Sequence, residues 1–289
     1  MNASPKRFIL KLSCPDQAGI VHAVTGFLLE QGGNILTSAQ HGDADHQRFF
    51  MRIEFECAAG AEPGAMREAF QPLALRLQMD WELVDAQAKT RVLLLVSKLG
   101  HCLNDLLFRV QTGHLPIEIP AIVSNHRDFY QLAASHNIPF HYFPLLGATE
   151  VQKQAQEHKI REVMADNRID LVVLARYMQI LSPELCRDLS GRAINIHHSF
   201  LPSFKGAKPY HQAYQRGVKL IGATAHYVTS DLDEGPIIEQ EVARIDHSLE
   251  PERLVAIGRD TECMTLARAI QWHAEHRVLM NGNRTVVFK

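Results

Sequence analysis

One short run decides the fold class of this chain of 289 residues: Val92-Leu93-Leu94-Leu95-Val96. It is apolar at every position, so a strand formed by it needs burial on both faces. Similar runs follow at Ile119–Ser124, Leu171–Ala175 and Ala193–Ile196, with helical patterns between them. Apolar strands that alternate with helices predict a parallel sheet covered on both faces, in an α/β, Rossmann-like arrangement.

The remaining elements of this region are predicted from their periodicity. They are helices near Cys102–Thr112, Arg127–His136, Glu150–Asn167 and Pro183–Leu189, and a strand at Pro139–Tyr142. Ligands of parallel sheets bind beyond the carboxyl ends of the strands. The sequence therefore predicts a site formed by the loops after Val96, Ala175 and Ile196.

The N-terminal part of the chain has a different pattern. The predicted elements, in order, are strand Arg7–Ser13, helix Ile20–Gln31, strands Ile35–Gln40 and Phe49–Phe55, helix Met66–Leu77 and strand Asp80–Val84. This β-α-β-β-α-β order predicts a ferredoxin-like unit, a four-stranded antiparallel sheet with two helices on one face. A polar stretch follows, which divides the chain into predicted domains at residues 1–88 and 89–289.

The composition narrows the class of protein. The chain is 46% hydrophobic and 21% charged, with a formal net charge of −2, which is typical of globular proteins and argues against a nucleic-acid partner. No apolar run approaches the ~18 residues of a membrane span, and no secretory signal is recognised at the N-terminus. Five widely spaced cysteines contain no CxxC pair and predict neither disulfides nor a zinc ribbon. We expect a soluble cytoplasmic protein.

The densest polar signal is Asn195-Ile196-His197-His198 at the end of a predicted strand. Residues two apart point to the same side of a strand, so Asn195 and His197 should share one side and His198 the other. A carboxamide and a protonated imidazole side by side suit a carbonyl that becomes an oxyanion. The alternative is that His197 is simply a buried core histidine.

Such a histidine needs a carboxylate beside it, and the sequence offers Asp231 and Asp233. Either would keep the imidazole cationic and could orient a water. A zinc site built from the nearby histidines (His197, His198, His211 and His226) with Asp233 is disfavoured, because adjacent histidines on a strand point apart and chelate poorly. Cys102 is best interpreted as a small buried residue rather than a reactive thiol.

Longer motifs resemble the folate-dependent formyltransferase family. They are Asn195-Ile196-His197 with Ser199 and Leu201-Pro202, and Leu232-Asp233-Glu234-Gly235-Pro236. Three further strings, at 97–107, 204–214 and 222–228, are similar to its formyltetrahydrofolate deformylase branch. The N-terminal Pro15-Asp16-Gln17-Ala18-Gly19 resembles the start of an ACT domain, so the resemblance extends over essentially the whole chain.

The resemblance implies hydrolysis of 10-formyltetrahydrofolate to formate and tetrahydrofolate, with the folate as substrate and no metal or cofactor. It places the catalytic residues at Asn195, His197 and Asp233, and favours Asp233 over Asp231. Secondary candidates for substrate binding or site order are Met178, Gln179, Ile180, Leu181, His226 and Tyr210. The activity would supply formate for purine biosynthesis and balance the one-carbon folate pool.

The ACT resemblance implies regulation and assembly. Asp16 and Gly19 lead into a helix whose free N–H groups can receive a carboxylate. We expect a homo-oligomer, a dimer or a tetramer, and an amino-acid effector such as glycine or methionine.

Three alternatives compete with this interpretation. A glycinamide ribonucleotide transformylase needs a phosphate site, normally in a glycine-rich loop; Ser97–His101 has one glycine, although Lys98 and Lys208 can still meet an anion. A methionyl-tRNA formyltransferase needs a basic RNA-binding surface, which is not recognised here. A non-catalytic amino-acid sensor has no need of three convergent polar residues.

Overall fold

The chain folds into two compact units. The computed structural model describes residues 5–145, 147, 149–201 and 209–289, apart from the side chain of Pro209. The motif residues 202–208, including Pro202 and Lys208, lie outside the described residues. The first break between units falls between Ala88 and Lys89, inside the polar stretch of the sequence.

The first unit contains a four-stranded antiparallel sheet in the order β2-β3-β1-β4. Its elements are β1 Lys6–Pro15, α1 Ile20–Glu30, β2 Asn34–Asp43, β3 Arg48–Cys57, α2 Pro63–Arg76 and β4 Asp80–Asp85. The predicted β-α-β-β-α-β order is therefore observed, with strands extended by one to three residues at their ends.

Alternate residues of β1 contribute to the hydrophobic core of this unit. Phe8, Leu10 and Leu12 are buried and pack in one cluster with Leu28 of α1 and Phe70 of α2. The turn after α1 is a Schellman motif: Gly32, at φ +69°, donates to the Leu29 carbonyl oxygen, and Gly33 donates to that of Leu28. The two glycines stop the helix where the sequence predicts.

The second unit contains a seven-stranded sheet in the order β11-β10-β9-β8-β5-β6-β7. Its elements are β5 Thr90–Val96, α3 His101–Gln111, β6 Ile117–Ser124, α4 Tyr130–Ser135, β7 Phe140–Tyr142, α5 Glu150–Asp166, β8 Leu171–Leu174, α6 Pro183–Asp188, β9 Ala193–His197, α7 Pro209–Arg216, β10 Leu220–Tyr227, β11 Ile237–Arg244 and α8 Pro251–Ala274. The five strands from β9 to β7 are parallel, as predicted.

The sheet changes direction in two ways that position the site. The chain runs from β5 outward to β7 and then returns to β8 on the other side of β5, which creates a switch point at the carboxyl ends of β5 and β8. Beyond β9, strands β10 and β11 run antiparallel. The loop that joins β10 to β11 therefore begins at the end of the sheet where β9 starts, opposite to the carboxyl end of β9. The register places His226 of β10 beside Asn195 of β9.

The C-terminal residues depart from the predicted domain of 89–289. Strands β12 Val278–Asn281 and β13 Arg284–Val287 pair with each other, and Glu275–Asn281 and Thr285–Lys289 belong to the first unit. Leu279 and Phe288 pack against Phe50 of β3, which is fully buried. Arg52 of β3 donates from two nitrogens to the carbonyl oxygen of Glu275, at 3.2 and 3.0 Å. The first unit thus needs the end of the chain to cover Phe50.

A search of the described residues for a helix long and apolar enough to cross a membrane finds none.

The packing of Phe288 gives a test of this division. Replacement by Ala should lower the free energy of unfolding of the first unit by about 3 kcal/mol, because it removes a buried ring and leaves a cavity. Urea unfolding followed by Trp81 fluorescence, in a Trp272→Phe background, reports on the first unit. Leu29→Ala is the control, since Leu29 is 76% exposed. An equal effect of both substitutions would contradict the proposed role of the C-terminal segment.

Candidate active site

Asn195 and His197 both line a cavity of about 440 Å³ at the carboxyl ends of β8 and β9. They share this side because they are two residues apart on β9. His198 departs from the prediction: it also lines the cavity, and its ring centroid lies 5.0 Å from that of His197. The strand ends at His197, so alternation no longer determines the direction of the next side chain.

His226 lies opposite Asn195 in the register between β10 and β9. Its Nδ1 is 2.9 Å from the carbonyl oxygen of Tyr227, which can only accept, so Nδ1 carries the proton. In the neutral ring, Nε2 then accepts a hydrogen bond from Nδ2 of Asn195 at 3.2 Å. His226 therefore orients the carboxamide of Asn195.

Asp233 reaches the two histidines from the loop between β10 and β11. Its φ of +57° is uncommon for a residue other than glycine, and such conformations cluster at functional sites. The Tyr227 N–H donates to the Pro236 carbonyl oxygen at 2.9 Å and closes the loop. A Cβ on Gly235 would lie 1.7 Å from the Tyr227 carbonyl oxygen, so only glycine fits there.

The carboxylate of Asp233 lies 3.2 Å from Nδ1 of His197 and 3.7 Å from Nε2 of His226. The hydrogen bond from His197 holds the pKa of Asp233 well below its usual range, and the imidazole of His226 adds to this effect when it is protonated. The carboxyl group is therefore ionised at neutral pH. Asp231, the other candidate, has an exposed side chain.

The second ring nitrogen of His197 has no partner among the residues that the structure describes. His197 is 5% exposed, and its Nε2 makes no hydrogen bond within the described part of the chain. A buried nitrogen left unsatisfied costs free energy, so Nε2 is suited to a hydrogen bond with a molecule in the cavity. With Nδ1 bonded to Asp233, a protonated His197 presents Nε2–H as a charge-assisted donor.

Two residues that the sequence analysis did not single out, Thr224 and Gln240, hold the loop after His197. The hydroxyl of Thr224 donates to the Ser199 carbonyl oxygen at 2.9 Å and accepts from the Leu201 N–H at 3.1 Å. Gln240 donates to Thr224 Oγ1 and to the Leu201 carbonyl oxygen. Sequence reasoning missed both, because neither Thr nor Gln at a strand position carries a recognisable signal.

Residues 176–181 form one wall of the cavity, which we call the β8 loop. Met178, Gln179, Ile180 and Leu181 all line the cavity, as expected. The N–H of Met178 already donates to Ser97 Oγ at 3.0 Å, so this N–H is not available to a ligand. At the far end, the buried Glu157 of α5 accepts from both the N–H and the hydroxyl of Ser182.

The mouth of the cavity is apolar. Met178, Ile180 and Leu232 line it and expose 57%, 61% and 61% of their surface. Exposed large apolar side chains around a cavity with a few convergent polar groups are typical of small-molecule sites.

Tyr210 is not brought to this cavity. Its ring is buried, and its hydroxyl donates to the carboxylate of Glu262 at 2.7 Å. Asp16 and Gly19 belong to the first unit, at the start of α1. The structure therefore brings together Asn195, His197, Asp233, His226 and the β8 loop, and leaves the other three candidates elsewhere.

Comparison with known proteins identifies the relatives of this chain. Residues 90–270 match the formyl transferase family. A formyltetrahydrofolate deformylase of Corynebacterium sp. (strain P-1) is 50% identical over 286 residues, which cover 98% of each chain. The crystal structure of a formyltetrahydrofolate deformylase from Burkholderia mallei is 54% identical, covers 99% of this chain and 100% of that chain, and has a TM-score of 0.93. A glycinamide ribonucleotide transformylase from Symbiobacterium toebii is 28% identical, with 70% and 95% coverage and a TM-score of 0.65.

The depressed pKa of Asp233 predicts a pH-dependent contribution to stability. We expect Asp233→Asn to be less stable than the wild type by about 2 kcal/mol at pH 7. A carboxyl group with a lowered pKa stabilises the fold fully above its unfolded-state pKa of about 4, and this contribution is lost as the pH falls further. Urea unfolding from pH 7 to pH 3 should therefore show the gap between the two proteins narrowing below pH 4. Asp231→Asn is the control; a gap that stays constant with pH would contradict the ionised pair.

Proposed function

The chain belongs to the formyltetrahydrofolate deformylase family of formyl transferases, and on that basis we propose that it hydrolyses 10-formyltetrahydrofolate to formate and tetrahydrofolate. The observation that carries this proposal is the convergence of Asn195, His197 and Asp233 on one cavity with an apolar mouth. The folate is the substrate, and the reaction as written needs no further cofactor.

The formyl oxygen binds between two donors. As water adds to the formyl carbon, the oxygen gains negative charge, and the Nε2–H of protonated His197 and the Nδ2–H of Asn195 stabilise it. The unpartnered Nε2 of His197 supports this role, and so does the orientation of Asn195 by His226. Both donors are in place before the substrate arrives, so little reorganisation is required.

Asp233 acts on the water. One carboxylate oxygen accepts from Nδ1–H of His197, while the other orients the attacking water. Because the pKa of Asp233 is depressed, the carboxylate takes up the water proton only once attack on the carbon has made that water strongly acidic. His197 then gives its Nε2 proton to N10 as the C–N bond breaks, which releases tetrahydrofolate and formic acid. The acid ionises to formate, and the proton taken up by Asp233 returns to His197 through water, so that both groups regain their starting states.

Water is favoured over a phosphate-bearing amine as acceptor. A phosphate is expected at the N-terminus of the helix that follows a parallel strand. Here α3 begins at His101, whose Nε2 lies 2.8 Å from the buried carboxylate of Glu262. The His101 side chain is therefore already engaged by Glu262 rather than free to meet a phosphate, which argues against glycinamide ribonucleotide as acceptor.

Formate release tests the reaction and the acceptor together. The wild type with 10-formyltetrahydrofolate alone should release formate and tetrahydrofolate in equal amounts. We expect Asp233→Asn and Asn195→Ala to lower kcat by about 10²–10³ because each removes a group that acts on the transition state. Asp231→Asn should change kcat by less than about threefold.

Two results would contradict this proposal. Turnover only after glycinamide ribonucleotide is added would make an amine the acceptor. An Asp231→Asn enzyme as slow as Asp233→Asn would remove the distinction between the two carboxylates.

For the first unit we propose an ACT domain that assembles the chain into a dimer or tetramer and binds an amino acid such as glycine or methionine. Helix α1 follows Gly19, whose φ is +92°, and no side chain in the described part of the chain caps the helix N-terminus. The Asp16 N–H donates to the Gln47 carbonyl oxygen at 2.9 Å and holds the preceding turn. The first N–H groups of α1 are therefore suited to bind a carboxylate.

We also propose that the protein is located in the cytoplasm, because its proposed substrate is a folate and its proposed product is formate for purine synthesis.

Calorimetry on the full chain tests the effector. The full chain is needed because Phe50 is covered by C-terminal residues that a 1–88 fragment lacks. We expect saturable heat from one amino acid of a panel, and Gly19→Ala should weaken binding about tenfold by straining the turn. The absence of heat from the whole panel would leave assembly as the proposed role of this unit.

A further inference from the structure

A buried ionic cluster adjoins the β8 loop, and the proposed chemistry does not use it. Its centre is Glu262 of α8, whose side chain is 2% exposed. We propose that Glu262 is a positioning residue: through Arg176 it holds the β8 loop in the conformation that binds the folate. This inference rests on the proposed function, because it assumes that the cavity takes a folate.

Glu262 meets three partners from three elements. Its Oε2 lies 2.8 Å from Nε2 of His101 at the start of α3 and 3.4 Å from Nε of Arg176 after β8. Its Oε1 accepts from the hydroxyl of Tyr210 on α7 at 2.7 Å. Burial alone would raise the pKa of Glu262, but the hydrogen bond from His101 and the charge of Arg176 outweigh it and lower the pKa. The carboxylate is therefore an ionised anchor.

Arg176 transmits this anchor to the β8 loop. Its φ is +65°, a conformation that costs free energy in any residue except glycine, so the surroundings must enforce it. Its Nε makes no hydrogen bond within the described residues, and the attraction to Glu262 is chiefly one of charge. The Ser97 N–H donates to the Arg176 carbonyl oxygen, and Ser97 Oγ accepts from the Met178 N–H. A shift of the Arg176 backbone would therefore move Ser97 and, through it, Met178, which lines the cavity.

Helix α8 fixes Glu262 independently of Arg176. Gly258 lies one turn before Glu262, and a Cβ there would come within 2.1 Å of Cζ of Tyr210. Because glycine has no side chain, the ring of Tyr210 fits against α8 at Gly258, and its hydroxyl donates a hydrogen bond to Glu262. Burial is the largest cause that raises the pKa of Tyr210 well above its usual range, so this phenol remains a donor.

The cluster also resembles a cation site, and its charges argue against one. His101, Cys102 and Glu262 offer ligand atoms within 4.8 Å of one another. However, the guanidinium of Arg176 already lies beside the same carboxylate oxygen of Glu262. The hydrogen bond with Cys263 and then burial keep the pKa of the Cys102 thiol well above its ordinary value, which disfavours a metal-binding thiolate. The ionic pair with Arg176 explains the contacts better.

A double-mutant cycle tests the proposal. The proteins are wild type, Glu262→Gln, Arg176→Met and the double variant, and the double variant leaves no unpaired charge from this pair. The measurements are the Kd of tetrahydrofolate by fluorescence titration, kcat at saturating 10-formyltetrahydrofolate, and Tm. We expect Glu262→Gln to weaken tetrahydrofolate binding about tenfold and to change kcat less than about threefold. In the Arg176→Met background the same substitution should change Kd less than about twofold.

Each result of these measurements either supports or contradicts the positioning role of Glu262. A lower Tm with unchanged Kd in Glu262→Gln would make the cluster merely structural and overturn the proposal. Equal effects of Glu262→Gln in both backgrounds would show that Glu262 does not act through Arg176. If a single variant does not fold, a tenfold weaker Kd in the double variant supports the proposal and a wild-type Kd overturns it. A wild type that binds tetrahydrofolate yet releases no formate would refute only the hydrolysis, whereas one that binds no tetrahydrofolate would refute the positioning role as well.

Discussion

The site depends on one ionised carboxylate held between two imidazoles. Asp233 lies 3.2 Å from His197 and 3.7 Å from His226, and these three side chains come from a strand, its antiparallel neighbour and the loop beyond. Asp233 accepts a hydrogen bond from the buried ring of His197, so Nδ1 of that ring is committed to the anion. The other nitrogen of the ring is left for the cavity that His197 lines. The sheet, the β10–β11 turn and Gly235 all serve to place this carboxylate.

Holding Asp233 beside the two histidines requires unusual backbone conformations and close packing in the loop between β10 and β11. Asp233 adopts a positive φ, and Gly235 lies so close to the Tyr227 carbonyl that no side chain fits. The same carbonyl accepts from Nδ1 of His226 and so determines which nitrogen of that ring faces Asn195. One tight turn therefore fixes both the position of the anion and the tautomer of the histidine that orients the carboxamide.

Local patterns predict much of this architecture. Apolar runs predicted the parallel strands, and strand alternation placed Asn195 and His197 on one side. Alternation failed at His198, where the strand ends and the backbone turns. Periodicity could not place Tyr210 against Glu262 or Leu279 and Phe288 against Phe50, because these contacts join residues distant in sequence and depend on complementary packing. The choice of Asp233 over Asp231 came from a resemblance, since spacing alone left both open.

The same pair of groups, a carboxylate and an imidazole, occurs twice in the second unit with different consequences. At Glu262 the contact is shorter, 2.8 Å, and the carboxylate is almost fully enclosed by Arg176, His101 and Tyr210. At Asp233 the contact is longer, and 16% of the side chain remains open towards the cavity. An anion that is only 2% exposed is closed to solvent water and can only hold other residues. An anion with one open side can still accept a hydrogen bond from water, so access rather than chemical identity separates the proposed positioning role of Glu262 from the proposed catalytic role of Asp233.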